Sequence, residues 1–280
     1  MQSPSKPFAC PIKMPAPAAP PAAPPIPGVR KIVAVAGGKG GVGKSTVAVN
    51  LAAALASRSA TGTIRVGLMD LDFHGPCTPI LLGSDDVPEI EDGRPRPLVR
   101  HDVRFFSMGS IADPDEPVVW RAPLVIDTVN KFARDVMWGE LDLLLVDLPP
   151  GTGDLHLSIC GLLPLTGVVL VSTPDPMSES VTIKALMMFK QLRAPVLGWI
   201  ENMSGAVCPH CGRSIEETAG NGSQPCERFH VPLLGRVPRS PAVLRAQEKG
   251  VPLVLAEPGD PAARAILDIA DKLAFGATED

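Results

Sequence analysis

Residues Gly38 to Ser45 read GKGGVGKS, which fits the spacing G-x-x-x-x-G-K-S/T in full. What flanks the motif gives it force. KIVAVAG, residues 31–37, is a short apolar run rich in β-branched residues and predicts a buried strand, and STVAVNLAAALAS, 45–57, predicts a helix. A strand, a glycine-rich turn and a helix in succession form a loop whose backbone N–H groups curl around phosphate oxygens. The helix start adds its partial positive charge. Lys44 is then expected to reach the β and γ phosphates of ATP and Ser45 to ligate Mg2+. Gly38, Lys39, Gly40, Gly41, Val42, Gly43 and Thr46 complete the expected nucleotide-binding stretch.

The rest of the chain repeats the strand–helix alternation. Strands are predicted over 64–70, 103–109, 141–147, 167–173, 195–201 and 231–238, and helices over 122–138, 178–192 and 260–275. Near-continuous apolar strands separated by helices imply an α/β fold, a mostly parallel sheet with helices on both faces. In such sheets ligands bind beyond the carboxyl ends of the strands. With 280 residues, 45% of them hydrophobic, one large domain over 29–280 can bury its own core. Residues 1–28, rich in proline and alanine, are expected to be a disordered leader outside that fold.

Acidic residues follow two of the strands. LMDLDFHGPCTP carries Asp70 and Asp72, and LLLVDLPPGTGD carries Asp147. By position Asp72 is expected to orient the attacking water, Asp70 to support Mg2+ and the loop, and Asp147 to serve the metal as a Walker B carboxylate. Leu148 to Asp154 reads as a switch, with a stiff Pro-Pro start and flexible glycines. Asn202, after the strand PVLGWIE, is expected at a sheet edge where its amide pairs with adenine.

Cys208 and Cys211, in CPHC, raise a separate question. Six cysteines in a chain of this length are too few and too scattered for a disulfide scaffold, which fits a reducing, cytoplasmic compartment. A C-x2-C pair serves thiol exchange, structural zinc or an iron–sulfur cluster. Cys208, Cys211, Cys226 and His230 have a spacing that one zinc ion could close within the chain, so spacing alone leaves zinc and a cluster open. The formal net charge of −4 gives no electrostatic reason to expect nucleic acid or an anionic membrane as partner. No apolar run reaches the ~18 residues that a membrane span needs.

A second lysine, Lys39, sits inside the glycine loop, and KGGVGKS resembles the deviant Walker A of the MinD/ParA class. In that class such a lysine reaches the partner's nucleotide across a dimer, so the resemblance implies a homodimer in which Lys39 acts with Lys44 and Asp72 in hydrolysis. With DLDFHGP, WGELDLLLVDLPPGTGD, VSTPD, PVLGWIENMS and CPHCG in this order, the chain closely resembles the Mrp/ApbC family of iron–sulfur cluster carrier ATPases. That resemblance runs from about Lys31 to the last helix. It implies a SIMIBI-class P-loop fold, slow ATP hydrolysis, and a transient 4Fe-4S cluster on Cys208 and Cys211 of two chains. Cluster donors and apoproteins are then the partners. Two departures stand out: Ser240, in VPRSP, replaces an aspartate, and Cys77 occupies a position commonly serine. A MinD/ParA-like positioning ATPase is the other reading, but the C-terminal LAFGATED is acidic and lacks the basic amphipathic character of a membrane anchor.

Overall fold

The computed structural model describes residues 23–57, 64–111, 121–208, 211, 213–215 and 223–275. Cys10, and Pro209, His210 and Gly212 of the cysteine loop, lie outside the described residues. The first half holds β1 (Val29–Ala36), α1 (Lys44–Ser57), β2 (Val66–Asp70), α2 (Thr78–Leu82), β3 (Ile90–Glu91), β4 (Arg94–Pro95), β5 (Leu98–Arg100), β6 (Val103–Ser107) and α3 (Ala122–Arg134). The second holds β7 (Leu141–Asp147), α4 (Asp154–Leu162), β8 (Gly167–Ser172), α5 (Pro176–Gln191), β9 (Val196–Val207), β10 (Ser214–Ile215), α6 (Ser223–Phe229), β11 (Leu233–Arg239), α7 (Pro241–Glu248), α8 (Leu253–Ala256) and α9 (Pro261–Phe275).

Among the described residues the main sheet runs β10-β9-β8-β1-β7-β2-β6-β5, with β11 also paired to β9. Only β5 and β10 run antiparallel to their neighbours. β1 therefore lies centrally, between β7 and β8. Side chains alternate along it: Val33 and Val35 join the core under α1 and α9, and Ile32, Ala34 and Ala36 join the one under α3 and α5. Parallel register sets Asp147 opposite Val35 and Asp70 opposite Asp147, so the acids at the ends of β7 and β2 finish side by side.

α1 has almost no polar face, because α8 and α9 cover the side that the sheet does not, and its buried alanines allow that close approach. Its one buried amide, Asn50, donates to Thr46 O (2.8 Å) and accepts from Val254 N (3.1 Å), fastening α8 to it. The helix expected over 122–138 ends at Arg134, and beyond it the Trp138 indole N–H turns back onto Phe132 O at 2.9 Å.

Two expectations are corrected. The strand containing PVLGWIE continues to Val207 and is no edge, since β8 flanks it on one side and β11 on the other. The end of the leader also belongs to the fold. Ile26 is 2% exposed, and the Arg134 guanidinium donates to the carbonyls of Pro24 (2.9 Å) and Pro25 (2.6 Å). An isoleucine among prolines is the one residue there with apolar surface worth burying. Among the described residues, no helix is long and apolar enough to cross a membrane.

Candidate nucleotide and thiol site

The glycine loop leaves β1 at its carboxyl end and delivers Lys44 to the first turn of α1. Gly41 and Gly43 take φ values of +79° and +78°, which only glycine adopts without strain. A Cβ on Gly40 or Gly41 would meet nothing within 4 Å, because both face a cavity of about 370 Å³ shared with Asp72, Pro150 and Gln247. The loop's other side is packed. A Cβ on Gly38 would stand 2.5 Å from the Val181 carbonyl carbon, and one on Gly43 2.3 Å from Nδ2 of Asn202. A larger cavity, about 600 Å³, lies beside Gly28 and Trp138 at the amino ends of β1 and β7. Of the two, only the smaller is lined by the phosphate-binding loop, so we assign the nucleotide there.

Three acids surround Lys44. Its Nζ donates to Oδ1 of Asp147 at 2.6 Å and lies 3.6 Å from Oδ2 of Asp72. Burial opposes the charge on Lys44, but Asp147 above all, then Asp72 and Asp70, outweigh it and raise its pKa above the ordinary lysine value. Burial pushes Asp147 upward too, against the pull of Lys44 and of the Ser45 hydroxyl that donates to it. Oδ2 of Asp147 is buried and has no hydrogen-bond partner among the described residues. A hard, anionic oxygen left unclaimed beside the Ser45 hydroxyl suits Mg2+.

Asp70 stands differently. Burial first, and Asp147 second, push its pKa up to about 7. Both its oxygens hold protein: Oδ1 accepts from Asp72 N (3.0 Å), and Oδ2 from the Ser107 hydroxyl (2.9 Å) and Thr78 N (3.3 Å). The carboxyl thus fastens the Asp72 loop and the start of α2 to β6, the supporting half of its expected role.

Lys39 is 44% exposed and lies 3.9 Å from Oδ1 of Asp175. That acid caps α5 through Ser178 N (2.9 Å), and the Thr173 hydroxyl, first among several donors, lowers its pKa. Asn202, expected at adenine, donates its amide to Val42 O at 2.9 Å and braces the glycine loop from β9. Ser240 does not line the cavity. It caps α7, accepting from Ala242 N (3.1 Å) and donating to Asp260 (2.7 Å), and α7 carries Gln247 to the Thr46 hydroxyl at 3.1 Å. Gln247 escaped sequence reasoning; Cys77, noted there only as standing where serine is common, lies at the cavity's rim, where its thiol donates to Gly75 O at 3.0 Å. The serine cap before PAVLRAQE was the available signal for a helix there.

The cysteine pair lies at the far end of β9. Cys208 follows its last residue, its N–H donating to Arg213 O at 2.9 Å, and β10 returns antiparallel, so the pair occupies the tip of a hairpin. Cys208 is half-buried, Cys211 is exposed, and neither is in a disulfide. Cys226 is 6% exposed on α6, and burial pushes its thiol up to about 11. Among the described residues no three of His, Cys, Asp and Glu gather as metal ligands, so Cys226 and His230 do not close a zinc site with the pair.

A parallel sheet with a glycine phosphate loop at its centre, a second lysine in that loop and acids at the neighbouring strand ends define a P-loop NTPase of the MinD/ParA type. Comparison with known proteins agrees and goes further. The ParA family model described as NUBPL iron-transfer P-loop NTPase matches residues 28–274, and the chain belongs to that family. The iron-sulfur cluster carrier protein of Deinococcus radiodurans is 42% identical over 251 residues, covering 89% of this chain and 70% of that one. The mouse iron-sulfur cluster transfer protein NUBPL is 39% identical over 250 residues, 89% of this chain and 78% of its own. Among solved structures, a nucleotide-binding protein from Archaeoglobus fulgidus in complex with ADP superposes with a TM-score of 0.71 at 32% identity, covering 80% of this chain and 88% of that one. MinD from Pyrococcus furiosus, at 23% identity and a TM-score of 0.61 over 88% of this chain and 98% of its own, shares the fold.

Proposed function

We propose that this protein is a Mg2+-dependent ATPase that carries a 4Fe-4S cluster between a donor and apoproteins, working as a homodimer. The observation that carries the reading is a C-x2-C hairpin, with Cys211 exposed, on the strand that braces the phosphate loop. Two thiolates hold a cubane cluster incompletely, and a twofold partner supplies the other two. Half-exposed Lys39, with one long ionic contact in its own chain, has the reach to serve a partner's nucleotide. Exposed thiols suit a reducing compartment such as the cytoplasm.

In this reading Lys44 leaves Asp147 for the β and γ phosphates, while Ser45 and Asp147 hold Mg2+ and Asp70 steadies the loop behind them. Mg2+ supplies neutralisation of phosphate charge. Asp72, facing the cavity, orients the water that attacks the γ-phosphorus, and the bond to the bridging oxygen breaks to give ADP and phosphate. β9 is the element through which nucleotide state reaches the cluster. Asn202 grips the loop and Cys208 lies six residues on, at most about 20 Å along an extended strand.

Anaerobic reconstitution with iron and sulfide tests the carrier. The expected product is a dimer with about four irons and four sulfides, lost in Cys208→Ala and in Cys211→Ala and retained in Cys226→Ala. A monomer holding one zinc that depends on Cys226 would overturn it.

A further inference from the structure

His156 takes no part in the chemistry derived so far, yet its side chain is 3% exposed and lies close behind the Leu148–Asp154 loop. It belongs to the first turn of α4, directly after the Leu148–Asp154 loop, and its backbone N–H donates to Gly153 O at 2.9 Å. Nδ1 stands 4.0 Å from where a Gly151 Cβ would be, so the ring lies behind that loop. Pro150, on the same loop, forms part of the nucleotide cavity wall, and His156 does not reach that wall. The charges of Lys44 and Asp72 both act on the ring. Nε2 is enclosed and has no hydrogen-bond partner among the described residues.

The loop itself is lightly held. Gly151 has φ +120°, a conformation that glycine alone reaches easily, and its N–H donates to Gly37 O at a long 3.3 Å. A buried ring nitrogen with no partner is unfavourable and is relieved by any movement that brings a polar group to it. The same ring's Nδ1 already faces a source of such groups: Gly151, in a glycine-rich turn whose Pro150 lines the nucleotide cavity.

We propose that His156 is a positioning residue of the nucleotide site, its Nε2 taking a hydrogen bond from the rearranged Leu148–Asp154 loop when a γ-phosphate is bound and so holding the loop in its hydrolytic conformation. This rests on the ATPase reading above. The ring acts through the loop and touches neither nucleotide nor water.

The test compares His156→Leu, which removes the nitrogens at similar volume, with His156→Gln, which keeps a polar terminus. For His156→Leu, kcat for ATP falls at least ~10-fold while KM stays within about threefold, and the preference for a non-hydrolysable ATP analogue over ADP drops by a similar factor. The nucleotide-free variant melts no lower than the wild type, because an unsatisfied group has been removed. His156→Gln recovers kcat to within about threefold of wild type. An active wild type beside an equally active His156→Leu overturns this proposal alone. So does a His156→Leu protein whose melting temperature falls together with kcat and which Gln does not rescue. A wild type that binds no nucleotide overturns both this proposal and the reading beneath it.

Discussion

Removing the Lys44 side chain leaves the Asp147 carboxylate enclosed with no cation against it, which costs on the order of 3–5 kcal/mol while it stays charged. Asp147 then takes up a proton, and its folded-state pKa climbs further above that of the unfolded chain. A group raised in this way loses its stabilising contribution as pH rises through the folded value. Lys44→Ala is therefore expected to fall further below the wild type in melting temperature at about pH 8 than at about pH 6, a gap that calorimetry reads directly. His156 has the opposite sign. Burial first, then Lys44, lower its pKa to about 4, so the folded chain refuses a proton that the unfolded chain accepts. Stability on that account is complete above the ordinary histidine range and is lost as pH falls towards 4. Urea midpoints followed downward from about pH 7 should drop more steeply for the wild type than for His156→Leu.

Among the elements, α2 and α7 meet through two glycines. Gly83 caps α2 at φ +64° and Gly250 ends the turn after α7 at φ +61°, and a Cβ on Gly250 would stand 2.3 Å from the Gly83 Cα. Gly250→Ala combines that clash with a left-handed backbone, whose strain alone is worth about 1–3 kcal/mol. Because α7 also presents Gln247 to Thr46, nucleotide affinity should weaken alongside thermal stability, as titration with ADP would register. Neither glycine stands out in the sequence, since each is shaped by a neighbour about 170 residues away. The phosphate loop was legible because its strand, glycines and helix are contiguous, and so was the place of Asp147 at the end of an apolar run. The contact of Asn202 with the loop was hidden for the same reason as Gly83: it depends on β9 lying close to the loop. α4 went unseen because DLHLSICGL follows a proline- and glycine-rich turn that masks its start, and with it His156.

At the scale of the whole molecule, one sheet separates two cores and gathers the reactive groups along one edge of its strands. The contacts that complete this edge span very different lengths of chain. Asn202 closes on Val42 across 160 residues, and Gln247 on Thr46 across 201. During synthesis the glycine loop emerges early, with its brace and its last wall still unmade. Contacts of such separation form slowly and late, and surfaces that await them are open to misassembly. A nascent chain thus has no finished nucleotide pocket until α7 has cleared the ribosome, by which time the hairpin with Cys208 has already emerged. Occupancy of the pocket therefore doubles as a report that the chain has folded through α7.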